Sequence, residues 1–299
     1  MEYVEARRAA IEERIAETVG AVEPTELGDQ LEHVVLAGGK RVRPTLTVLV
    51  CEAAGGDVWE AVDGVDDRQQ TALSADGEDA LDYAVGIELV HNASLVVDDI
   101  IDQSEVRRGS PSAWAEYGYG PGLVASDGLL GEAFALFSRD PRAMECVTDS
   151  LVELGEGEAI ELVDRPETER EYMELACRKT GALFRAAAEL GAIAADADGR
   201  TVETLGDYAE RVGVAFQIRD DVLDATADSE ALGKPAGIDE EMDRPSIVRV
   251  TDRSPEELNR LAREQSDSAL AALADLDLPA GEAKDYLEYL AEFVVERDA

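Results

Sequence analysis

Two acidic pentapeptides, Asp98-Asp99-Ile100-Ile101-Asp102 and Asp220-Asp221-Val222-Leu223-Asp224, lie inside otherwise apolar stretches. Each sets carboxylates at i, i+1 and i+4, and on a helix positions i and i+4 share one face, one turn apart. That spacing suits a hard divalent cation shared between two carboxylates. Two such helices facing each other would hold several Mg²⁺ ions around a diphosphate, a poor leaving group until its charge is neutralised. An Asp-rich chain produces roughly 0.3 copies of this pattern by chance. Here there are two, and their neighbours are Leu, Val and Ile rather than the polar residues of a solvated face.

Helical periodicity dominates the chain. Apolar residues recur at three- and four-residue spacing near 2–20, 26–37, 43–55, 78–103, 124–137, 142–163, 168–194, 200–225 and 255–272. Strand-like alternation is sparse and aromatic residues make up only 5%. The expectation is an all-α chain, a single domain over 1–299. The predicted breaks are Gly38-Gly39, Pro44, Gly55-Gly56, Gly109 to Pro111, Gly118 to Gly122 and Gly233 to Gly237. Residues 56–77 are polar and acidic and read as a flexible insertion; they lack the residue order of an EF-hand loop.

Charge excludes some functions. With 27 basic and 67 acidic residues the net charge is -40, which leaves no basic stripe for nucleic acid. A hydrophobic content of 45% fills a core and argues against disorder. Acidic residues spread along the whole chain suit a halophile's cytoplasmic protein, kept soluble where salt screens charge over a few ångströms. Cys51, Cys146 and Cys177 have no metal-type spacing and read as reduced, mostly buried thiols. The start reads as a charged amphipathic helix rather than a signal peptide, and no apolar run is long enough for a transmembrane segment.

Lys40, Lys179, Lys234 and Lys284 are the only lysines. The first three fall in Gly- or Thr-containing segments, where a compact cation suits phosphate oxygens. In Gly38-Gly39-Lys40-Arg41-Val42-Arg43-Pro44, glycines let backbone approach a ligand and three cations follow; a helix C-cap with basic residues on the dipole is the plainer reading. His91, Asp98 and Asp102 share one helical stripe, although a lone histidine more often serves a core. Arg107-Arg108 can clamp phosphate or make a loop salt bridge. Lys179-Thr180-Gly181 in mid-helix is locally unfavourable and marks a kink. Gln217 leads into the second aspartate motif, and Gly233-Lys234-Pro235 follows it.

Taken in order, GGKRVRP, ELVHNASLVVDDIID, VRRG, KTGALF, FQIRDDVLD and LGKPAGID resemble the trans-isoprenyl diphosphate synthase family from about Leu31 to Asp239. The resemblance implies an all-α isoprenoid synthase bundle around a deep apolar cavity, assembled as a homodimer. It implies that isopentenyl diphosphate condenses with an allylic diphosphate, most simply to give geranylgeranyl diphosphate. It also implies that Asp98 and Asp102, supported by Asp99, and Asp220 and Asp224, supported by Asp221, bind three Mg²⁺. Lys40, Arg43, His91 and Arg108 would hold isopentenyl diphosphate. Arg107, Lys179, Thr180, Gln217 and Lys234 would contact the allylic diphosphate.

Some residues depart from the family pattern. Val97 replaces a frequent histidine, and Gly157-Glu158 stands where Gly-Gln is common, with Glu161 near the usual aspartate. Residues 240–247 differ most, with Asp243 beside Arg244 where a phosphate-binding lysine is usual. The departures motivate an alternative, a catalytically weak paralogue acting as a regulatory or binding subunit of a hetero-oligomer. A terpene cyclase on the same fold would leave Lys40, Arg43 and Arg108 without a use.

Overall fold

The computed structural model describes residues 2–59, 73–226 and 245–296. Among them the chain is almost wholly helical, with one two-residue antiparallel pair and one isolated bridge between Trp59 and Leu73. It divides into two compact units, Met1–Val147 with Leu190–Asp196, and Thr148–Glu189 with Ala197–Ala299. Residues 60–72 of the expected insertion lie outside the described residues, as do Lys234, Asp243 and Arg244.

The first unit is built on helix α4 (Ala75–Ile101), which packs against α1 (Glu2–Gly20), α2 (Thr25–Val35), α3 (Val42–Ala53), α5 (Ala113–Tyr117) and α6 (Tyr119–Phe137). Its side chains are buried without a break from Ala80 to Val90, Asp82 and Glu88 included, so α4 is buried all round there rather than on one face. Ser74 caps its start by accepting from Gly77 N at 3.1 Å. Gly86 sets how closely α6 approaches: a Cβ there would lie 2.4 Å from the Phe137 ring. After α4, the strands β1 (Val106–Arg107) and β2 (Ser110–Pro111) form a hairpin whose two turn residues, Arg108 and Gly109, both have positive φ (53° and 81°). That is the backbone a right-twisted two-residue hairpin requires.

The second unit centres on α10 (Gly199–Thr226), which packs against α8 (Glu169–Ala176), α11 (Ile247–Val250), α12 (Pro255–Ala274) and α13 (Glu282–Glu296). Capping boxes start α8 and α12, with Thr168 paired to Glu171 and Ser254 to Glu257. Helix α7 (Pro141–Ala159) runs into a π-turn at Ile160–Asp164, and a second π-turn at Cys177–Gly181 separates α8 from α9 (Ala182–Ala194).

The boundaries correct the sequence reading in places. Helix α6 begins at Tyr119 and contains Gly120, Pro121 and Gly122, because proline in a first helical turn forfeits no hydrogen bond; only Gly118 is a break. The predicted helix over 168–194 is interrupted by a π-turn, and α13 was not predicted. Cys51 is buried, whereas Cys146 and Cys177 are half-buried.

Candidate active site

The sequence-predicted residues form two sets, one in each unit. In the first, the loop before α3 turns through Gly38 (φ 93°) and Gly39 (φ 134°) and leaves Lys40 exposed. Arg41 adopts a left-handed backbone (φ 51°) and is buried. Its guanidinium donates to Glu88 Oε1 at 2.7 Å and to Val35 O at 2.7 Å, and this ion pair holds the loop against α4. Glu88 is itself fixed by Asn92 Nδ2 at 3.1 Å. Motif reasoning left Glu88 and Asn92 without a role; a buried acid and amide flanking His91 in an apolar helix were the available signal.

Arg43 lies with its Nη1 3.3 Å from His91 Nε2. Burial drives His91 well below its ordinary range, and Arg43, Arg108, Arg107 and Arg41 push it the same way. The ring is therefore neutral, Nε2 accepts from Arg43, and the proton sits on Nδ1. Burial also lowers Arg43, to about 10, with Glu88 opposing and Arg108 reinforcing the shift. Arg108 is lowered by burial too. It reaches back from the hairpin to donate to Gly38 O, and a Cβ on Gly39 would come within 2.9 Å of its guanidinium. Glycine at 39 is thus required by its backbone angle, while an added Cβ would also push aside the end of the Arg108 side chain. Beyond burial, Arg108 lowers Arg43, and Arg41 and Arg107 lower Arg108, so these cations repel one another and a bound anion would relieve that repulsion.

Asp98 and Asp102 are half-buried on the last turn of α4, where Asp102 N donates to Asp98 O at 2.8 Å. Asp99 is buried and engaged by Arg107, whose Nε lies 3.0 and 3.1 Å from the two carboxylate oxygens. The Arg107 of the notional phosphate clamp is therefore anchored by the second aspartate of the motif.

In the second unit, Lys179 and Thr180 sit in the Cys177–Gly181 π-turn, at the kink expected from their poor helix propensity. Lys179 is ion-paired with Glu158, at 3.1 Å, and with Glu161. The backbone is close here, since a Cβ on Gly157 would meet Lys179 N at 2.9 Å. Thr180 Oγ1 donates to Gln217 Oε1 at 2.9 Å, and Gln217 Nε2 donates to Asp221 Oδ1 at 2.9 Å. Asp220 is half-buried and Asp224 buried, one turn apart on α10. Burial pushes Asp221 up to about 6, against the hydrogen bonds it accepts from Tyr172, Ile247 N, Gln217 and Ser246. Neither Tyr172 nor Ile247 carried a sequence signal, because their role comes from tertiary placement.

The donors of each pair suit a hard divalent cation such as Mg²⁺. Asp98, Asp102, Asp220 and Asp224 offer hard carboxylate oxygens and no thiol or imidazole. Among the described residues no group of three or more His, Cys, Asp or Glu side chains could hold a metal unaided. An ion held by either pair would take its remaining oxygens from a ligand or from water.

The polyprenyl synthetase family model matches residues 24–274. The short chain isoprenyl diphosphate synthase of Methanothermobacter thermautotrophicus is 33% identical, covering 96% of this chain and 95% of its own. The geranylfarnesyl diphosphate synthase of Natronomonas pharaonis is also 33% identical, covering 97% and 96%. The crystal structure of geranylgeranyl pyrophosphate synthetase from Pyrococcus horikoshii Ot3 superposes with a TM-score of 0.83 at 31% identity, covering 99% of this chain and 98% of the other.

Proposed function

The chain belongs to the polyprenyl synthetase family and is a prenyltransferase, and on that premise we propose that it condenses isopentenyl diphosphate with an allylic diphosphate to give geranylgeranyl diphosphate. The observation that carries the substrate assignment is Arg43 placed 3.3 Å from a neutral His91, with Arg108 close enough to lower Arg43 further. With Lys40 they bind the diphosphate of isopentenyl diphosphate. Arg107, Lys179 and Gln217 bind the allylic diphosphate, Thr180 holds Gln217 through its hydroxyl, and by resemblance Lys234 joins them.

Asp98, Asp102, Asp220 and Asp224 would hold Mg²⁺, three ions per site. Bound there, Mg²⁺ neutralises the allylic diphosphate as it leaves. The protein's cations orient that diphosphate and stabilise the charge it gains. The allylic C–O bond breaks, with its electron pair going to diphosphate. The double bond of isopentenyl diphosphate then forms the new C–C bond, and a proton passes from the adjacent carbon to the departed diphosphate. No protein nucleophile takes part, which is consistent with the absence of a Ser/His or Cys/His pair in the motifs.

We read the protein as a cytoplasmic homodimer. Among the described residues no helix is long and apolar enough to cross a membrane. Helix α6 exposes Tyr119, Leu123 and Val124 at 51%, 49% and 53%, a face that supports self-association. The test of the product assignment is incubation with isopentenyl diphosphate, each allylic diphosphate in turn and Mg²⁺ in concentrated KCl. Dephosphorylation and reversed-phase chromatography then give the chain length. A C20 alcohol is expected, and a C25 or longer product would overturn the geranylgeranyl assignment.

A further inference from the structure

Asp221 is a buried carboxylate flanked by metal-type positions, yet its lone pairs are met by the protein. Oδ2 accepts from Tyr172 Oη at 2.7 Å and from Ile247 N at 2.9 Å. Oδ1 accepts from Gln217 Nε2 at 2.9 Å, and the Ser246 hydroxyl supplies a further hydrogen bond. An ionised carboxylate offers about four acceptor positions. These four contacts occupy them, so no position is left for a cation. Asp220 and Asp224 share a different face of α10, one turn apart.

We propose that Asp221 is a positioning residue that binds no metal, tying α8, α10 and the start of α11 into one knot and setting the direction of the hydrogen-bond chain Asp221–Gln217–Thr180. The direction follows from donor and acceptor inventory. A carboxylate only accepts, so Gln217 must turn Nε2 toward it. Oε1 then faces Thr180, whose hydroxyl proton is committed to Gln217. The Thr180 hydroxyl is therefore not a donor to diphosphate in this arrangement. The second N–H of Gln217 is the donor the knot presents. Asp221 thus acts on the allylic diphosphate through Gln217, and on residues 246–247 through direct contact. The inference rests on the prenyltransferase reading for its kinetic consequence, though not for its geometry.

The experiment compares Asp221→Asn, Tyr172→Phe, the double variant and Asp220→Asn with wild type, in concentrated KCl. Initial rates are measured against Mg²⁺, isopentenyl diphosphate and the allylic diphosphate separately, beside circular dichroism. Asp221→Asn turns the chain around, since its amide now faces Gln217. It is expected to raise the allylic KM about tenfold, in the range found for partners that orient a ligand-binding group. The Mg²⁺ half-saturation should stay within about twofold of wild type, whereas Asp220→Asn shifts it further. Tyr172→Phe, which removes one hydroxyl, should move the allylic KM in the same direction, and the double variant should cost less than the product of the singles.

A Mg²⁺ half-saturation displaced as far in Asp221→Asn as in Asp220→Asn would overturn the proposal, as would multiplicative single effects. If Asp221→Asn does not fold, Tyr172→Phe decides: an unchanged allylic KM overturns the knot and a raised one supports it. An inactive wild type would strike the prenyltransferase reading instead. The knot is then read from melting temperatures, where coupled shifts of the two single variants support it and additive shifts overturn it.

Discussion

At the scale of single residues, the proposed diphosphate sites make separable demands. Lys40 stands exposed on the first unit, and Lys179 lies between Glu158 and Glu161 in the second. Lys40→Ala is expected to raise the KM for isopentenyl diphosphate by about tenfold, the loss of one charge-assisted contact, and to leave the allylic KM nearly unchanged; Lys179→Ala should do the reverse. Equal effects on both substrates would contradict the assignment. Glu158 adds a competitor, because an allylic diphosphate must draw Lys179 from two carboxylates. Glu158→Gln is therefore expected to lower the allylic KM severalfold, and a raised KM would show that Glu158 aids binding. His91 gives a pH dependence. Its folded pKa lies well below the unfolded value, so the stability of the neutral ring is complete above about pH 6.5 and is lost as pH falls from there through the lower folded value. His91→Gln should flatten this part of the stability profile in acid titrations of melting temperature, and a superimposable profile would remove His91 as its source.

Among the secondary-structure elements, the sequence was most readable where pattern and burial agree. Helices α1, α3, α10 and α12 fall where periodicity predicts them, because each keeps an apolar face at helical spacing. The Lys179-Thr180-Gly181 conflict with helix propensity correctly marked an irregularity, and the structure makes it a π-turn. The hairpin 106–111 was hidden, since two-residue strands carry no alternation, although Arg-Gly between them is compatible with its turn. Tyr172, Ile247 and Glu88 could not be found from motifs, because their roles arise from contacts between distant segments. Product length belongs to this scale as well. Ala93 is buried on α4, where its carbonyl accepts from Ser126 Oγ of α6 at 3.1 Å. In the family that this chain resembles, the residue five before the first aspartate motif, here Ala93, tends to floor the elongation cavity, so we expect Ala93→Phe to shorten the product by at least one five-carbon unit, read by chromatography after dephosphorylation. An unchanged length with retained activity would make Ala93 packing only.

For the whole molecule, charge and chemistry pull in different directions. A net charge of -40 repels itself, and screening at molar salt shortens that repulsion to about 3 Å. The melting temperature is therefore expected to rise steeply between 0.1 M and 3 M KCl, the range in which the Debye length falls from about 10 Å. Equal values at both ends would refute a salt requirement. Against that acidic background, few cations stand at the proposed diphosphate positions, and the carboxylates of the two motifs are kept in pairs among buried Val, Ile and Leu residues. The central claim is that these pairs serve a metal-dependent condensation. The most direct measurement is product formation from isopentenyl and allylic diphosphates in concentrated KCl by the wild type, Asp98→Ala and Asp220→Ala, with and without Mg²⁺ and beside circular dichroism. Wild type should form product only with Mg²⁺, and both variants should keep their helicity and lose condensation. Near-normal turnover by either variant, or by wild type without divalent metal, would contradict the account.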